Sequence, residues 1–259
     1  MTTEKRARKQ CAAASSPDSM ARHPDAPAWG EITRRGLLGA ALGGTTLAAA
    51  AVPALARDTR NEVPLDQVTP TFFGPQEWAL LIAIVDVFIP ADGDGPGALE
   101  AGVPVFIDRQ MAGFWGQSEW WYMEGPHHPD ADPNLGFQSP LTLAEIIRGG
   151  LSHFDDWCRD QHGAAFAELG AEDRNKALGA LMDEKTGLPP ELRDFPDFLL
   201  TSTKQGYFSD PRHGGNRGML AWSYIGYPGA RANFLSWTNP ARDAEPYPLG
   251  PVSINGDRA

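Results

Sequence analysis

The chain is poor in cysteine and lacks the short motifs that hold redox cofactors. Its 259 residues include two cysteines, which form neither a C-x-x-C-H haem-attachment sequence nor a paired C-x-x-C metal site. A G-x-G-x-x-G phosphate-binding turn and a G-x-S-x-G nucleophile turn are also missing from the sequence. We therefore expect this chain to bind no cofactor of its own, and no local motif indicates a catalytic residue.

Segments that alternate apolar and polar residues are missing as well, so no β-sheet is predicted. Apolar residues recur instead at helical spacing, as Trp78, Leu81, Ile82 and Val85 do. The predicted fold class is mainly α: a single irregular helical domain of five to six helices with long loops and an extended C-terminal tail. The predicted helices are Pro75 to about Ile89, Ala98–Ala112 with a kink or restart near Gly102 because of Pro104, Leu143–His162, Glu172–Asp183, Phe195–Thr203, and a last turn or two in Met219–Ile225.

Leu, Ile and Phe are scarce in the first apolar run of the chain. Arg34 and Arg35 precede this run of Gly, Ala, Leu and Thr, which ends in Ala54-Leu55-Ala56, a site with small residues at the positions that a signal peptidase reads. The pattern is typical of a twin-arginine signal peptide, which is an export address and not an anchor. We predict that residues 1–56 are this signal with a polar N-terminal extension, whereas a retained membrane helix is the alternative.

Basic residues are outnumbered by acidic ones. The chain has 22 Lys/Arg and 33 Asp/Glu. Residues 1–56 hold seven of the basic and four of the acidic residues, so the remainder has 15 basic and 29 acidic residues and a net charge of −14. This charge argues against nucleic acids and anionic membrane surfaces as partners. Beyond the signal we predict a linker at 57–71, the helical domain at 72–230 and the extended tail at 231–259.

Residues 113–140 follow no regular pattern and are rich in aromatic residues, proline and glycine. A connection of this length is unusual in a compact domain, so we interpret it as a candidate binding surface. Trp120, Trp121 and Tyr122 are its largest residues, and Trp222 is a similar large aromatic residue near the end of the helical domain. Trp and Tyr are enriched at protein interfaces, although packing in the core is the alternative explanation.

Histidines in two loops leave room for a different function. His127 and His128 are adjacent and close to two aspartates, but they lack the helical spacing of strong zinc sites. His213 precedes Gly214-Gly215-Asn216, where glycines permit positive φ. This turn belongs either to an anion-binding or catalytic site or to a structural turn that fixes the last helix against the core.

Cys158 lies on the apolar stripe of the predicted helix Leu143–His162, whereas the other cysteine, Cys11, belongs to the leader. In an oxidising compartment a single cysteine has two explanations. It is either a buried thiol or one half of a disulfide to another chain.

Two stretches together resemble a known family. The first is Gln76-Glu77…Ile84-Val85-Asp86…Ile89-Pro90-Ala91-Asp92…Gly95-Pro96-Gly97-Ala98…Ala101-Gly102-Val103…Phe106-Ile107-Asp108, and the second is Gly206-Tyr207-Phe208…Asp210-Pro211…Gly214-Gly215-Asn216…Met219…Trp222…Ile225-Gly226-Tyr227-Pro228-Gly229. They resemble the opening and closing signatures of the gluconate 2-dehydrogenase subunit 3 family, and the closing one is the more specific. The resemblance covers about residues 60–230.

This family is the small subunit of membrane-bound, FAD-dependent sugar and sugar-acid dehydrogenases. The resemblance implies a flavoprotein partner of the glucose-methanol-choline (GMC) type, which holds FAD and oxidises the substrate, and often a multi-haem cytochrome c subunit. It implies a non-catalytic chain that assists maturation and twin-arginine export of the flavoprotein. The complex is then expected in the periplasm, at the outer face of the inner membrane.

An interface with such a partner is expected in the loop 113–140 and in the segment Tyr207–Gly229. The predicted interface residues are Trp120, Trp121, Tyr122, Cys158, Tyr207, Gly214, Gly215, Asn216 and Trp222. The alternative function is a free-standing periplasmic enzyme or binding module that uses the His127/His128 or His213 loops.

Overall fold

The computed structural model describes residues 63–93, 95–231 and 249–259. The predicted signal residues Arg34, Arg35, Ala54 and Ala56 lie outside this part of the chain. The described residues form six α-helices and only isolated β-bridges, which confirms the mainly helical fold. The helices are α1 Pro75–Phe88, α2 Val103–Ala112, α3 Leu143–His162, α4 Ala171–Met182, α5 Phe195–Phe208 and α6 Leu220–Tyr224.

Local capping signals explain the ends of α1 and α3. Glu77 Oε2 accepts a hydrogen bond from the Gly74 amide at 2.7 Å, and Pro75 begins α1 where a missing N–H costs nothing. Thr142 and Glu145 form a capping box, with Glu145 Oε2 accepting from Thr142 N at 2.8 Å and Thr142 Oγ1 accepting from Glu145 N at 3.3 Å. The prediction Leu143–His162 is therefore confirmed to the residue.

The second helix begins later than predicted. Residues 98–102 form a turn, and α2 starts only at Val103 because Gly102 adopts the left-handed conformation with φ +71°. Pro104 has no backbone N–H to donate the hydrogen bond that would continue a helix started at Ala98. The predicted helix start at Ala98 was wrong, whereas the restart near Gly102 is confirmed.

The fifth helix is longer than predicted. It continues past Thr203 to Phe208, so Tyr207 lies on its last turn and not in a loop. Gly206 is part of this extension because the Phe106 ring on α2 packs against its backbone, where a Cβ would come within 2.9 Å of the ring. The close approach of α2 and α5 thus outweighs the low helix propensity of glycine.

The core lies between α3 and the helices around it. Gly150, at the middle of α3, lets the Phe195 ring pack directly on the backbone, since a Cβ there would overlap the ring. The largest fully buried side chains are Phe154, Phe166, Phe195, Leu81, Ile84, Ile107, Met111, Leu143, Ile146, Ile147, Leu151 and Leu181. In the described ranges no helix is both long enough and apolar enough to cross a bilayer.

The segment before α1 is fastened to the helical domain. Asp108 on α2 is 4% exposed, and its carboxylate accepts hydrogen bonds from the amides of Thr71, Phe72 and Phe73 at 2.7, 2.9 and 3.1 Å. Arg148 on α3 donates to the Phe72 carbonyl at 2.7 Å and lies 4.0 Å from the centroid of the Phe72 ring. Thr71, the last residue of the predicted linker, is therefore fastened to the folded domain.

Both ends of the described domain are held by the stretch Asp210–Arg217. Arg217 Nη1 donates to the Val63 carbonyl at 3.0 Å, and Asp210 Oδ2 accepts from the Ile254 amide at 2.7 Å. Residues 249–259 contain no helix, and Ala230 N donates to the Val252 carbonyl at 2.7 Å. The end of the predicted tail thus lies on the domain.

Candidate partner-binding surface

The loop 113–140 presents large aromatic side chains to solvent. Trp120 is 77% exposed and Tyr122 is 81% exposed. Phe114, which is 53% exposed, stacks on Trp120 with ring centroids 5.3 Å apart and an interplanar angle of 24°. We call Phe114, Trp120 and Tyr122 the aromatic patch. Phe114 belongs to the predicted binding loop but was not among the predicted interface residues, because no periodicity distinguishes an exposed Phe in an irregular loop.

Trp121 lies between the two exposed residues but packs inward. Its ring is 4.8 Å from the Phe137 ring, 5.8 Å from the Phe198 ring of α5 and 6.0 Å from the Trp115 ring, measured between centroids. The predicted trio Trp120-Trp121-Tyr122 is therefore divided. Its outer members are available for contact, and the middle one joins the loop to α5.

The backbone beneath the aromatic patch is fixed by the start of α3. Ser118 is 2% exposed with φ +56°, and its Oγ accepts a hydrogen bond from the Leu143 amide at 3.0 Å. The Ala144 amide donates to the Gly116 carbonyl at 2.8 Å. These bonds satisfy two amides in the first turn of α3 and hold the loop in one conformation.

The charged side chains that belong to the loop 113–140 are all acidic. Residues 110–147 contain no Lys or Arg, whereas the loop carries Glu119, Glu124, Asp130 and Asp132, all exposed. None of these four carboxylates takes part in the ion pairs of the described residues. The loop itself is therefore acidic, and Arg193, just before α5, contacts it through a hydrogen bond from its guanidinium to the Ala131 carbonyl.

The predicted interface residues of the closing signature are buried instead. Tyr207 OH donates to the Pro96 carbonyl at 2.6 Å, and Trp222 Nε1 donates to the Phe208 carbonyl at 2.9 Å. Asn216 is fully buried, with Nδ2 donating to Ser209 O at 3.0 Å and Oδ1 accepting from Ala221 N at 2.9 Å. These three side chains connect α6 to α5 and to the loop before α2.

The two glycines of this signature allow close approach. Gly214 has φ +99°, and a Cβ there would come within 2.7 Å of Arg109 Nη1. A Cβ at Gly215 would overlap the Gly206 carbonyl. Of the two explanations for this turn, the geometry favours the structural one, in which it fixes the last helix.

A second exposed apolar surface lies beside this turn. It consists of Phe208, Leu220, Tyr224 and Ile225, which are between 42% and 55% exposed. Leu220 and Tyr224 are four residues apart on α6 and share one face of that helix. This spacing is visible in the sequence and was not used there.

The three histidines of the alternative function are not assembled into a site. His127 is partly buried, and His128 and His213 are exposed. His213 Nε2 accepts a hydrogen bond from Arg212 Nε at 3.1 Å rather than facing a carboxylate. Within the residues that the structure describes, no three His, Cys, Asp or Glu side chains are grouped so as to hold a metal ion.

Cys158 lies on the inner face of α3 with no exposed surface. Burial raises the pKa of its thiol to about 12, and the Asp155 carboxylate acts in the same direction while Arg159 opposes it. A sulfur in this position cannot reach another chain without opening the helix pair. The geometry thus favours the buried-thiol explanation over an intersubunit disulfide.

A groove of about 650 Å³ runs between the start of α1 and the middle of α3. Glu77, Leu80, Asp155 and Arg159 are among its lining residues. Arg159 is already paired with Asp155 and with Asp156, the latter at 3.0 Å, so the groove offers no free charge of either sign from these residues.

Comparison with known families identifies the domain. The model of the family described as gluconate 2-dehydrogenase subunit 3 matches residues 75–229, a span that includes all six helices. No curated protein and no solved structure matches the chain.

Proposed function

The chain belongs to the gluconate 2-dehydrogenase subunit 3 family and is thus an accessory subunit of a dehydrogenase complex, and we propose that it assists the maturation and export of the catalytic subunit. In this proposal the partner is a GMC-type flavoprotein that holds FAD and oxidises a sugar or sugar acid. The chain itself performs no redox step. Its twin-arginine leader carries the folded pair to the periplasm, where a multi-haem cytochrome c subunit accepts the electrons at the inner membrane.

The observation that carries the proposal is the extent of the family match. The matched span 75–229 starts with the first residue of α1 and ends beyond α6, so the helical domain as a whole is the accessory module. The described residues outside this span contain no α-helix. Of the histidines in the competing enzyme proposal, His128 is exposed and His213 accepts a hydrogen bond from Arg212, which lends that proposal no support.

The export route fits a carrier role. A twin-arginine address is read by a receptor and is used for proteins that fold before export. The domain has its own well-packed core, with twelve large side chains almost completely buried, and the sequence has no motif for a cofactor that would need loading. A partner that must receive FAD before export would account for this route.

The test is to express the chain together with its dehydrogenase partner and follow where the partner goes. Arg34→Lys with Arg35→Lys should leave the flavoprotein and its activity in the cytoplasm, since the paired arginines are the proposed address. Arg6→Lys with Arg8→Lys is the matched control, because it changes two arginines of the same N-terminal segment. We expect normal periplasmic activity from this control.

Two outcomes would contradict the proposal. One is unchanged export of the flavoprotein when the Arg34/Arg35 pair is altered or the chain is deleted. The other is turnover of a sugar by the purified chain alone, which would favour the free-standing enzyme.

A further inference from the structure

We propose that the aromatic patch, Phe114, Trp120 and Tyr122, is where this chain docks on the dehydrogenase subunit. The partner surface is predicted to be an apolar pocket bordered by Lys and Arg. This inference rests on the proposed function, and it narrows the interface from two long segments to three side chains and their acidic neighbours. The closing signature then supports the fold and does not touch the partner.

The aromatic patch is prepared for binding before the partner arrives. Phe114 and Trp120 are already stacked, and the hydrogen bonds of Ser118 and Gly116 to the start of α3 hold the turn that carries them. Trp121 anchors the same turn from below through Phe137 and Phe198. These contacts reduce the conformational entropy that docking costs, which is what raises affinity in preorganised interfaces.

The exposed area is concentrated in the residue types that dominate interfaces. With 77% and 81% of their surfaces exposed, Trp120 and Tyr122 each offer an area on the order of 150 Å². Trp and Tyr in desolvated pockets are the commonest binding hot spots, and truncating one typically weakens binding by a factor of about 30 or more. An uncovered pair of this kind indicates a binding partner.

The acidic neighbours decide what kind of partner fits. Glu119 and Glu124 flank Trp120 and Tyr122, are exposed, and form no ion pair in the described part of the domain. Two copies of the chain meeting through this loop would bring carboxylates against carboxylates. An anionic bilayer would repel the loop in the same way. A protein surface with basic residues around an apolar pocket is complementary in both respects.

The experiment measures the affinity between the purified chain and the purified flavoprotein for single and double variants. Trp120→Ala and Tyr122→Ala should each raise the dissociation constant by about 30-fold, and the double variant by more. Tyr224→Ala with Ile225→Ala is the matched control from the second exposed surface and should change it less than about 3-fold. Thermal unfolding of each variant shows whether the fold is intact, because all four side chains are largely exposed.

The charge contribution is tested separately. Glu119→Gln with Glu124→Gln should slow association and reduce its dependence on salt concentration, since charges at the rim of an interface mainly act on the association rate. Trp121→Ala is not a suitable probe of docking, because it removes a buried anchor and should lower the melting temperature of the free chain.

The outcomes separate this inference from the proposed function. If the wild-type chain binds no dehydrogenase subunit at all, the proposed function fails. If the wild type binds and the Trp120 and Tyr122 variants bind equally well, or if the Tyr224/Ile225 control is the one that loses affinity, the docking site is wrong and the function stands. Self-association or binding to anionic vesicles that disappears with Trp120→Ala would also overturn it.

Discussion

Removing the Asp108 carboxylate should loosen the segment that leads into the helical domain. This side chain is 4% exposed and is the acceptor for three consecutive amides, those of Thr71, Phe72 and Phe73. In Asp108→Asn, the amide oxygen can keep the two bonds that Oδ1 makes to Phe72 and Phe73. The new amide nitrogen then faces the Thr71 N–H, donor against donor, where Oδ2 accepted at 2.7 Å.

The magnitude follows from what is lost. A hydrogen bond to a charged group contributes about 1.5–3 kcal/mol, and an unsatisfied buried donor costs a similar amount. We expect Asp108→Asn to lower the free energy of unfolding by about 2–3 kcal/mol, and Asp108→Ala, which removes all three acceptors, by about 3–5 kcal/mol. For a domain of this size the asparagine variant should melt roughly 5–10 °C lower.

The assay is urea or thermal unfolding of residues 57–259, with hydrogen exchange of the 71–73 amides as a local readout. Asp156→Asn is the matched control, because its carboxylate is 71% exposed and forms a surface ion pair with Arg159 at 3.0 Å. Such pairs contribute about 0–1 kcal/mol. If Asp108→Asn unfolds together with this control and the three amides remain protected, the reasoning about the carboxylate is refuted.

Two further predictions concern buried titratable groups. The pKa of the Cys158 thiol is raised to about 12, so at pH 8 it should hold roughly 1000-fold less thiolate than an exposed thiol. Thiol reagents should therefore label Cys158 only after the chain unfolds, and rapid labelling of the native chain would contradict its burial. Tyr207→Phe removes the bond to the Pro96 carbonyl and should cost about 1 kcal/mol at pH 7. The pKa of Tyr207 is raised above that of an unfolded tyrosine, about 10. Burial is the largest cause, followed by the neighbouring Tyr224, Asp92 and Glu100. The wild type should therefore lose stability as the pH rises above that value, and its difference in stability from the Phe variant should narrow. A constant difference between pH 8 and 11 would show that ionisation of Tyr207 does not contribute to the pH dependence of stability.

Helices whose ends are set by local chemistry could be predicted from the sequence. The capping box of Thr142 and Glu145 and the left-handed Gly163 that follows α3 are local signals, and the predicted bounds agree with the structure. α5 could not be bounded in this way, because Gly206 is a helix breaker in isolation. Its place in the helix depends on the Phe106 ring, a hundred residues away in the chain.

The candidate site was also predictable only in part, because local composition was visible in the sequence and tertiary contacts were not. That the loop 113–140 carries an aromatic surface was visible from composition, but which of Trp120, Trp121 and Tyr122 points inward was not. Trp121 is turned by Phe137 and Phe198, which approach it only in the folded domain. That Tyr207, Asn216 and Trp222 are buried could not be foreseen, since residues that form a tight structural turn and residues that bind a partner both produce a distinctive motif.

The stretch Asp210–Arg217 brings the two extremities of the domain to one place, with Val63 on Arg217 and Ile254 on Asp210. A circular permutant would join Ala259 to Val63 through a Gly/Ser bridge and open new termini in the turn between α4 and α5. In such a rearranged polypeptide the loop 113–140 and α3 would remain joined in sequence, whereas α5 would precede them. A reporter could then be attached at the new termini, away from either original end.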